Sequence, residues 1–364
     1  MSNIFFWIGT EAEFIKVFPV IIECQSMGNV CHIIATGQND IKKSRILSFV
    51  QLNGKYVELS QEKDIKKSTL GLLSWFARTK KRAKGELKRF FENENLAGEC
   101  LVVHGDTVST YMGALVGKSL GMVVCHVEAG LRSHHLFNPF PEEIDRILTS
   151  RRARIHFAPG ETAVHNLSKA KGRIVNTEYN TLLDSLKYSQ RMEVVTLGID
   201  EILCQEYFVF VMHRQENIAN TAFFKSVISK IEEIAKEKKC VFLLHKITEN
   251  ALRDIEELDN LKKNANFILL PRTDYFDFMK LLNRASFVIT DGGSNQEELH
   301  YMGKPCLIMR KTTERNEGIG QNAILFSGKV EDILRFSNEY KNYEILPVDA
   351  DVNPSKVIAE CLGA

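Results

Sequence analysis

The sequence lacks most of the features that would place it in a specialised class. The 364 residues hold eight cysteines (24, 31, 100, 125, 204, 240, 306 and 361), none in a CxxC pair and none beside histidines at zinc spacing. Disulfides and a metal are therefore not expected; thiols scattered through apolar segments fit reduced, buried side chains in a cytoplasmic protein. Excess charge is also missing: 47 Lys and Arg against 46 Asp and Glu leave +1. No global field draws the chain to nucleic acid or to an acidic membrane. Its densest basic run, Arg78 to Arg89, is interleaved with Glu86 and apolar residues, as on the wet face of a helix. Long apolar runs are absent. The opening MSNIFFWIGTEAE has no positive n-region and is too short for a signal peptide or a membrane span, so it reads as a first strand. Short-period repeats and low-complexity segments are absent as well.

What is present is strand–helix alternation in a chain long enough for two domains with full cores. In the first half, strands are expected at Ile4–Ile8, Val30–Ala35, Cys100–His104, Val123–Val127 and Arg154–Phe157. Amphipathic stretches lie between them at Phe14–Gln25, Ile41–Leu52, Ile65–Asn95, Thr107–Leu120 and Glu142–Ala153. The second half repeats the scheme, with strands at Tyr207–Met212, Val241–Leu244, Phe267–Leu270, Phe287–Thr290 and Cys306–Met309. Such alternation predicts an α/β protein of two doubly wound, Rossmann-like domains with mainly parallel sheets facing one cleft. The expected domains are 1–172 and 173–352, with a last helix at 353–364 packing back on the first.

Residues 123 to 160 carry most of the functional signal. The apolar strand Val123–Val127 stops abruptly at Glu128, Ala129 and Gly130. A carboxylate at the carboxyl end of a parallel strand faces the crevice where open α/β sheets bind ligands. Glu142 and Glu143 follow Pro141, and they suit either a helix start or chemistry. Other strand ends add ionisable residues. They include His104-Gly105-Asp106-Thr107, in which Asp106 is either a cap or a functional acid, and His213-Arg214. In the second half a strand ends in Thr290-Asp291-Gly292-Gly293-Ser294 and then a helix begins. Backbone amides in such a turn can approach a phosphate or diphosphate. No GK[ST] follows and no GxGxxG occurs, so ATP and nicotinamide readings are weak. Glu298, one turn further on, is placed to reach ribose hydroxyls. Facing acids for proton transfer and a glycine turn for a diphosphate point to a nucleotide-sugar enzyme.

Together the motifs GTEAEFIK (9–16), TGQ (36–38), HGDT (104–107), HVEAGLRS (126–133), NPFPEEIDR (138–146), MHRQEN (212–217), QEE (296–298) and KTTERNEG (311–318) resemble the UDP-N-acetylglucosamine 2-epimerase family over nearly the whole chain. The resemblance implies a GT-B-like fold, catalytic acids at Asp106, Glu128 and Glu142, and a diphosphate-side histidine at His213. It further implies substrate contacts from Lys16, Gln38, Arg146, Arg272, Phe276, Gly292, Gly293, Ser294 and Glu298. No cofactor and no metal are expected; the partner is a UDP-sugar, and the family suggests a homodimer. The implied reaction eliminates UDP to a 2-acetamidoglucal and adds it back, giving UDP-N-acetylmannosamine for surface polysaccharide. Hydrolysing members release free N-acetylmannosamine and UDP instead. A GT-B glycosyltransferase and a non-catalytic UDP-sugar sensor are the readings of other kinds. Which acid serves as base is left open. The chain departs from the family pattern at Glu11, which stands where an arginine is usual, and at Asn39, Ser294 and Asn316.

Overall fold

The computed structural model describes residues 2–60, 69–91, 95–132, 142–196, 198–313, 315–348 and 351–363. Ser133, the stretch 138–141 with Pro141, and Glu314 carry part of the motif signal and lie outside the described residues. The chain divides into two compact units, 1–185 with 351–364, and 186–350.

The first unit begins β1 (Asn3–Ile8), α1 (Glu11–Ser26), β2 (Val30–Ala35), α2 (Arg45–Val50), β3 (Tyr56–Glu58) and α3 (Thr69–Phe90). It continues β4 (Cys100–His104), α4 (Val108–Ser119), β5 (Val123–Val127), α5 (Glu142–Ser150), β6 (Ile155–Ala158), α6 (Glu161–Asn166) and β7 (Arg173–Asn176). Its seven strands are parallel and ordered β3-β2-β1-β4-β5-β6-β7. The near-continuous apolar strands follow from that arrangement, since helices cover both faces of a doubly wound sheet. Phe5, Trp7, Leu101 and Val103 pack with Trp75, Leu87 and Met112 in one core. Fully burying such a side chain contributes roughly 1.5–3 kcal/mol.

Helix α7 (Leu182–Arg191) crosses from the first unit into the second. The second unit then runs α8 (Ile199–Leu203), β8 (Tyr207–Val211), α9 (Gln215–Ile218), α10 (Thr221–Ala235), β9 (Lys239–Leu244), α11 (Lys246–Asp254) and α12 (Leu258–Lys263). It ends β10 (Phe267–Pro271), α13 (Tyr275–Arg284), β11 (Val288–Thr290), α14 (Gly293–Tyr301), β12 (Cys306–Ile308), β13 (Ala323–Leu325) and α15 (Glu331–Glu339). Its six parallel strands are ordered β10-β9-β8-β11-β12-β13, the winding of the first sheet over again. Phe208, Phe210, Phe224 and Phe242 dominate its core.

Several boundaries differ from expectation. β7 was expected to open the second domain at 173; it is instead the edge strand of the first sheet, bonded to β6 from Ile155↔Arg173 to Ala158↔Asn176. The first unit therefore extends to Ser185. β3 and β13, three residues each, were not anticipated. The expected helix over Ile41–Leu52 is broken into a 3-10 turn, Ile41–Lys43, and α2. Ser44 breaks it by turning extended and accepting a hydrogen bond from the Ile46 amide.

Pro19 sits inside α1, where it has no N–H to give the Ile15 carbonyl. Ser185 Oγ supplies the missing donor at 2.5 Å. The last helix, α16 (Pro354–Gly363), belongs to the first unit. Asp184 Oδ2 accepts its Ser355 amide at 2.8 Å, and Asn353 reaches Glu23 of α1 at 3.1 Å.

Candidate active site

In each sheet the strand order reverses once, between β1 and β4 in the first unit and between β8 and β11 in the second. Ligands of open α/β sheets bind at the carboxyl ends of strands beside such a switch point. Asp106 and His213 follow strands at those switch points and Glu128 follows the next strand along, whereas Glu142 opens α5.

Glu128 follows β5 with φ +61°, a left-handed conformation that side-chain-bearing residues rarely take. The turn is forced onward by Gly130, also left-handed at φ +87°. A Cβ there would lie 2.3 Å from the Ala163 carbonyl oxygen. The Glu128 side chain is 7% exposed, and Lys16 Nζ and Asn180 Nδ2 both donate to its Oε2. His104 Nε2 lies 3.6 Å from the same oxygen. An oxygen taking two N–H donors behaves as a carboxylate oxygen, and the ammonium offsets its charge in a buried place. Lys16 was expected to face substrate; here its ammonium is engaged with Glu128.

Asp106 is held by Arg146, which also lies 3.6 Å from Glu143, and Arg132 Nε is 3.8 Å from Glu143. Arg146, expected to bind substrate, is thus an internal partner of the acid cluster. The turn before Asp106 is set by His126. Burial pushes that ring down to about 3, so it is neutral and donates Nε2–H to the Gly105 carbonyl at 2.8 Å. Glu142 opens α5 with Oε2 buried and without a partner among the described residues.

Two acids of this unit were not singled out by sequence. Glu13 accepts from the Gly9 amide at 2.6 Å and from Thr107 Oγ1 at 2.6 Å, tying the starts of α1 and α4 together. Burial pushes its carboxyl up to about 7 against those donors. Asp145 is likewise pushed up to about 7, by burial and by the charges of Asp106 and Glu142. Glu13 is the N3 acid of a capping box with Thr10, a pattern visible in the sequence that says nothing of its burial, and no local pattern betrays Asp145. Asn180 lies in no motif, and its contact with Glu128 joins residues 52 apart in sequence. Gln38 lies in the turn after β2, its Oε1 buried without a partner among the described residues. Glu11 begins α1, its amide bonded to Asn39 Oδ1 at 3.2 Å.

In the second unit Asp291 is the fully buried organiser. It accepts the amides of His213 at 3.0 Å and Arg214 at 2.9 Å, and Asn217 Nδ2 at 3.1 Å. Burial raises its carboxyl, but the His213 ring and these amides outweigh that and hold it below the ordinary value. His213 Nδ1 lies 3.2 Å from Asp291 Oδ1, which orients the ring. His245 stacks on His213 at 4.4 Å, and burial together with His213 and Arg272 pushes it down to about 4.

Gly292 precedes α14, whose first turn, beginning Gly293 and Ser294, has no side-chain cap. A Cβ on Gly292 would lie 2.5 Å from Asn295 Oδ1. Asn295 in turn donates to Glu298 Oε2 at 3.0 Å. Arg272 is exposed after β10, whereas Phe276 is 0% exposed inside α13. Its ring lies in the core. Among the described residues no three His, Cys, Asp or Glu side chains could hold a metal ion, and no helix is long and apolar enough to cross a membrane.

Known proteins are similar to this chain in sequence and fold. The family model described as UDP-N-acetylglucosamine 2-epimerase matches residues 30–344. The UDP-N-acetylglucosamine 2-epimerase of Methanocaldococcus jannaschii is 31% identical over 92% of this chain and 93% of its own. The solved structure of that enzyme in complex with UDP-GlcNAc and UDP is similar with a TM-score of 0.75 at 27% identity, covering 100% of this chain and 99% of that one. The Neisseria meningitidis enzyme bound to UDP-GlcNAc is similar with a TM-score of 0.78 at 26% identity, over the same shares of the two chains. The resemblance and the GT-B-like class expected from the motifs are both borne out: the chain belongs to the UDP-N-acetylglucosamine 2-epimerase family and is an isomerase of that kind.

Proposed function

We propose that this enzyme interconverts UDP-N-acetylglucosamine and UDP-N-acetylmannosamine without net hydrolysis, providing a mannosamine-configured precursor for surface polysaccharide. The hydrogen on the acetamido-bearing carbon is not flanked by a carbonyl, so direct deprotonation is too difficult. Elimination of UDP to a 2-acetamidoglucal, followed by re-addition, avoids that carbanion.

The observation that carries the reading is Glu128: buried, left-handed and held by Lys16 and Asn180 at the carboxyl end of β5. A carboxylate fixed in this way suits the base that takes the proton. Asp106 and Glu142 then serve on the acid side, with Arg146 keeping Asp106 in place. In the second unit, His213 and the uncapped start of α14 suit the diphosphate, and Glu298 suits the ribose. UDP-GlcNAc bound in the Neisseria relative supports the substrate class.

The test is incubation with UDP-N-acetylglucosamine in deuterated water, followed by NMR. Deuterium on the acetamido-bearing carbon of two interconverting UDP-sugars is expected. Free N-acetylmannosamine with UDP would instead make the enzyme hydrolysing. No exchange with any UDP-N-acetylhexosamine would sink the reading, and exchange-free transfer to an acceptor would mark a glycosyltransferase.

A further inference from the structure

Helix α5 carries four ionisable residues in its first turns: Glu142, Glu143, Asp145 and Arg146. The two arginines at hand are already engaged. Arg146 holds Asp106 and lies near Glu143, and Arg132 lies near Glu143. Asp145 receives neither. It is 6% exposed, and its Oδ2 is buried with no partner among the described residues. The charges acting on it are those of Asp106, from the loop after β4, and of Glu142 on its own helix. Beyond Asp106 stands Glu13 of α1, a further acid. Helix α4, which packs against α5, has Lys118 in its last turn as its one charged residue. Every described group acting on Asp145 is therefore either acidic or committed elsewhere.

We propose that Asp145 is a positioning residue of the reaction, a carboxylic acid that keeps a proton within the Asp106–Glu142 cluster and so keeps that cluster able to act as an acid. This rests on the epimerase reading above. Two effects on the Asp145 carboxyl agree in sign. Burial without a donor disfavours the carboxylate, and two like-charged neighbours disfavour it again. Asp145, the buried member lacking a guanidinium, is where the proton rests. Burial and the neighbouring charges place its loss near pH 7. Above that pH Asp145 becomes a further buried anion beside Asp106 and Glu142, the proton is gone, and the acid half of the chemistry fails.

The test compares Asp145→Asn with Asp145→Glu and the unmodified enzyme. In D145N the alkaline limb of the kcat–pH profile is expected to move to lower pH by about one unit or more, with a smaller change in KM. D145E is expected to restore it. An unmoved limb in D145N would overturn the proposal. A second measurement needs no turnover and no variant. With carboxyl-13C aspartate in the unmodified protein, one aspartate resonance is expected to titrate near pH 7. If every aspartate titrates in the ordinary acidic range, Asp145 holds no such proton, whatever the enzyme's substrate proves to be.

Discussion

Glu128 holds its place through contacts distant in sequence, and that makes its role testable by a single atom change. Glu128→Gln keeps the shape but cannot take a proton. Turnover is expected to fall by about 100-fold or more, with far-UV circular dichroism retained; near-normal turnover would show that another residue takes the proton. Glu13 gives a prediction about stability. Its ordinary value is 4.5, and burial raises it to about 7 in the fold. Between those values the unfolded chain has released the proton while the folded chain keeps it. Its contribution is therefore fully present below about 4.5 and lost as pH rises through 7. On the order of 1–3 kcal/mol of unfolding free energy is expected to disappear across that window. Denaturant titrations at both ends should show a weaker loss in Glu13→Gln. An identical slope in the two proteins would contradict the assignment.

At the scale of elements, two helices depend on residues outside themselves. α1 contains Pro19, whose missing N–H leaves the Ile15 carbonyl to Ser185. Ser185→Ala leaves that buried acceptor unmatched, and a loss of about 1–3 kcal/mol in unfolding free energy is expected by denaturant titration. If no loss appears, another donor meets that carbonyl. α14 begins at Gly293 after a glycine with no room for a methyl group. In Gly292→Ala the added carbon displaces Asn295 and through it Glu298. UDP binding measured by calorimetry is expected to weaken by about tenfold, equivalent to about 1.4 kcal/mol, with little change in unfolding temperature. Unchanged affinity would remove the α14 start from the nucleotide site.

At the scale of the molecule, the C-terminal helix is the element whose sequence position says least about where it folds. α16 follows the second unit in the chain and belongs to the first, capped by Asp184 and packed on α1. Truncation before Pro354 strips Ile358, Ala359 and Leu362 from that packing. The first unit's unfolding transition is expected to drop by several degrees in calorimetry, with the second unit's transition unmoved; a drop in both would mean that they unfold as one. Much of this architecture was legible beforehand. Apolar runs bounded by glycine and acidic residues mark most strands, because a strand buried on both faces must be apolar along its length. HVEAGLR and PFPEE marked Glu128 and Glu142 as chemical residues. The short strands β3 and β13 were not legible, although the equally short β11 and β12 were. Nor was the isolation of Asp145, because an acid at the start of a helix looks the same whether or not arginines reach it. The sequence by itself determined element types, winding and the family, all of which follow from local periodicity and from motifs contiguous in the chain. Tertiary structure alone decided the meeting of Lys16, Asn180 and Glu128 and the repair of α1 by Ser185. Those depend on burial and on neighbours more than fifty residues apart, and no stretch of sequence carries that information.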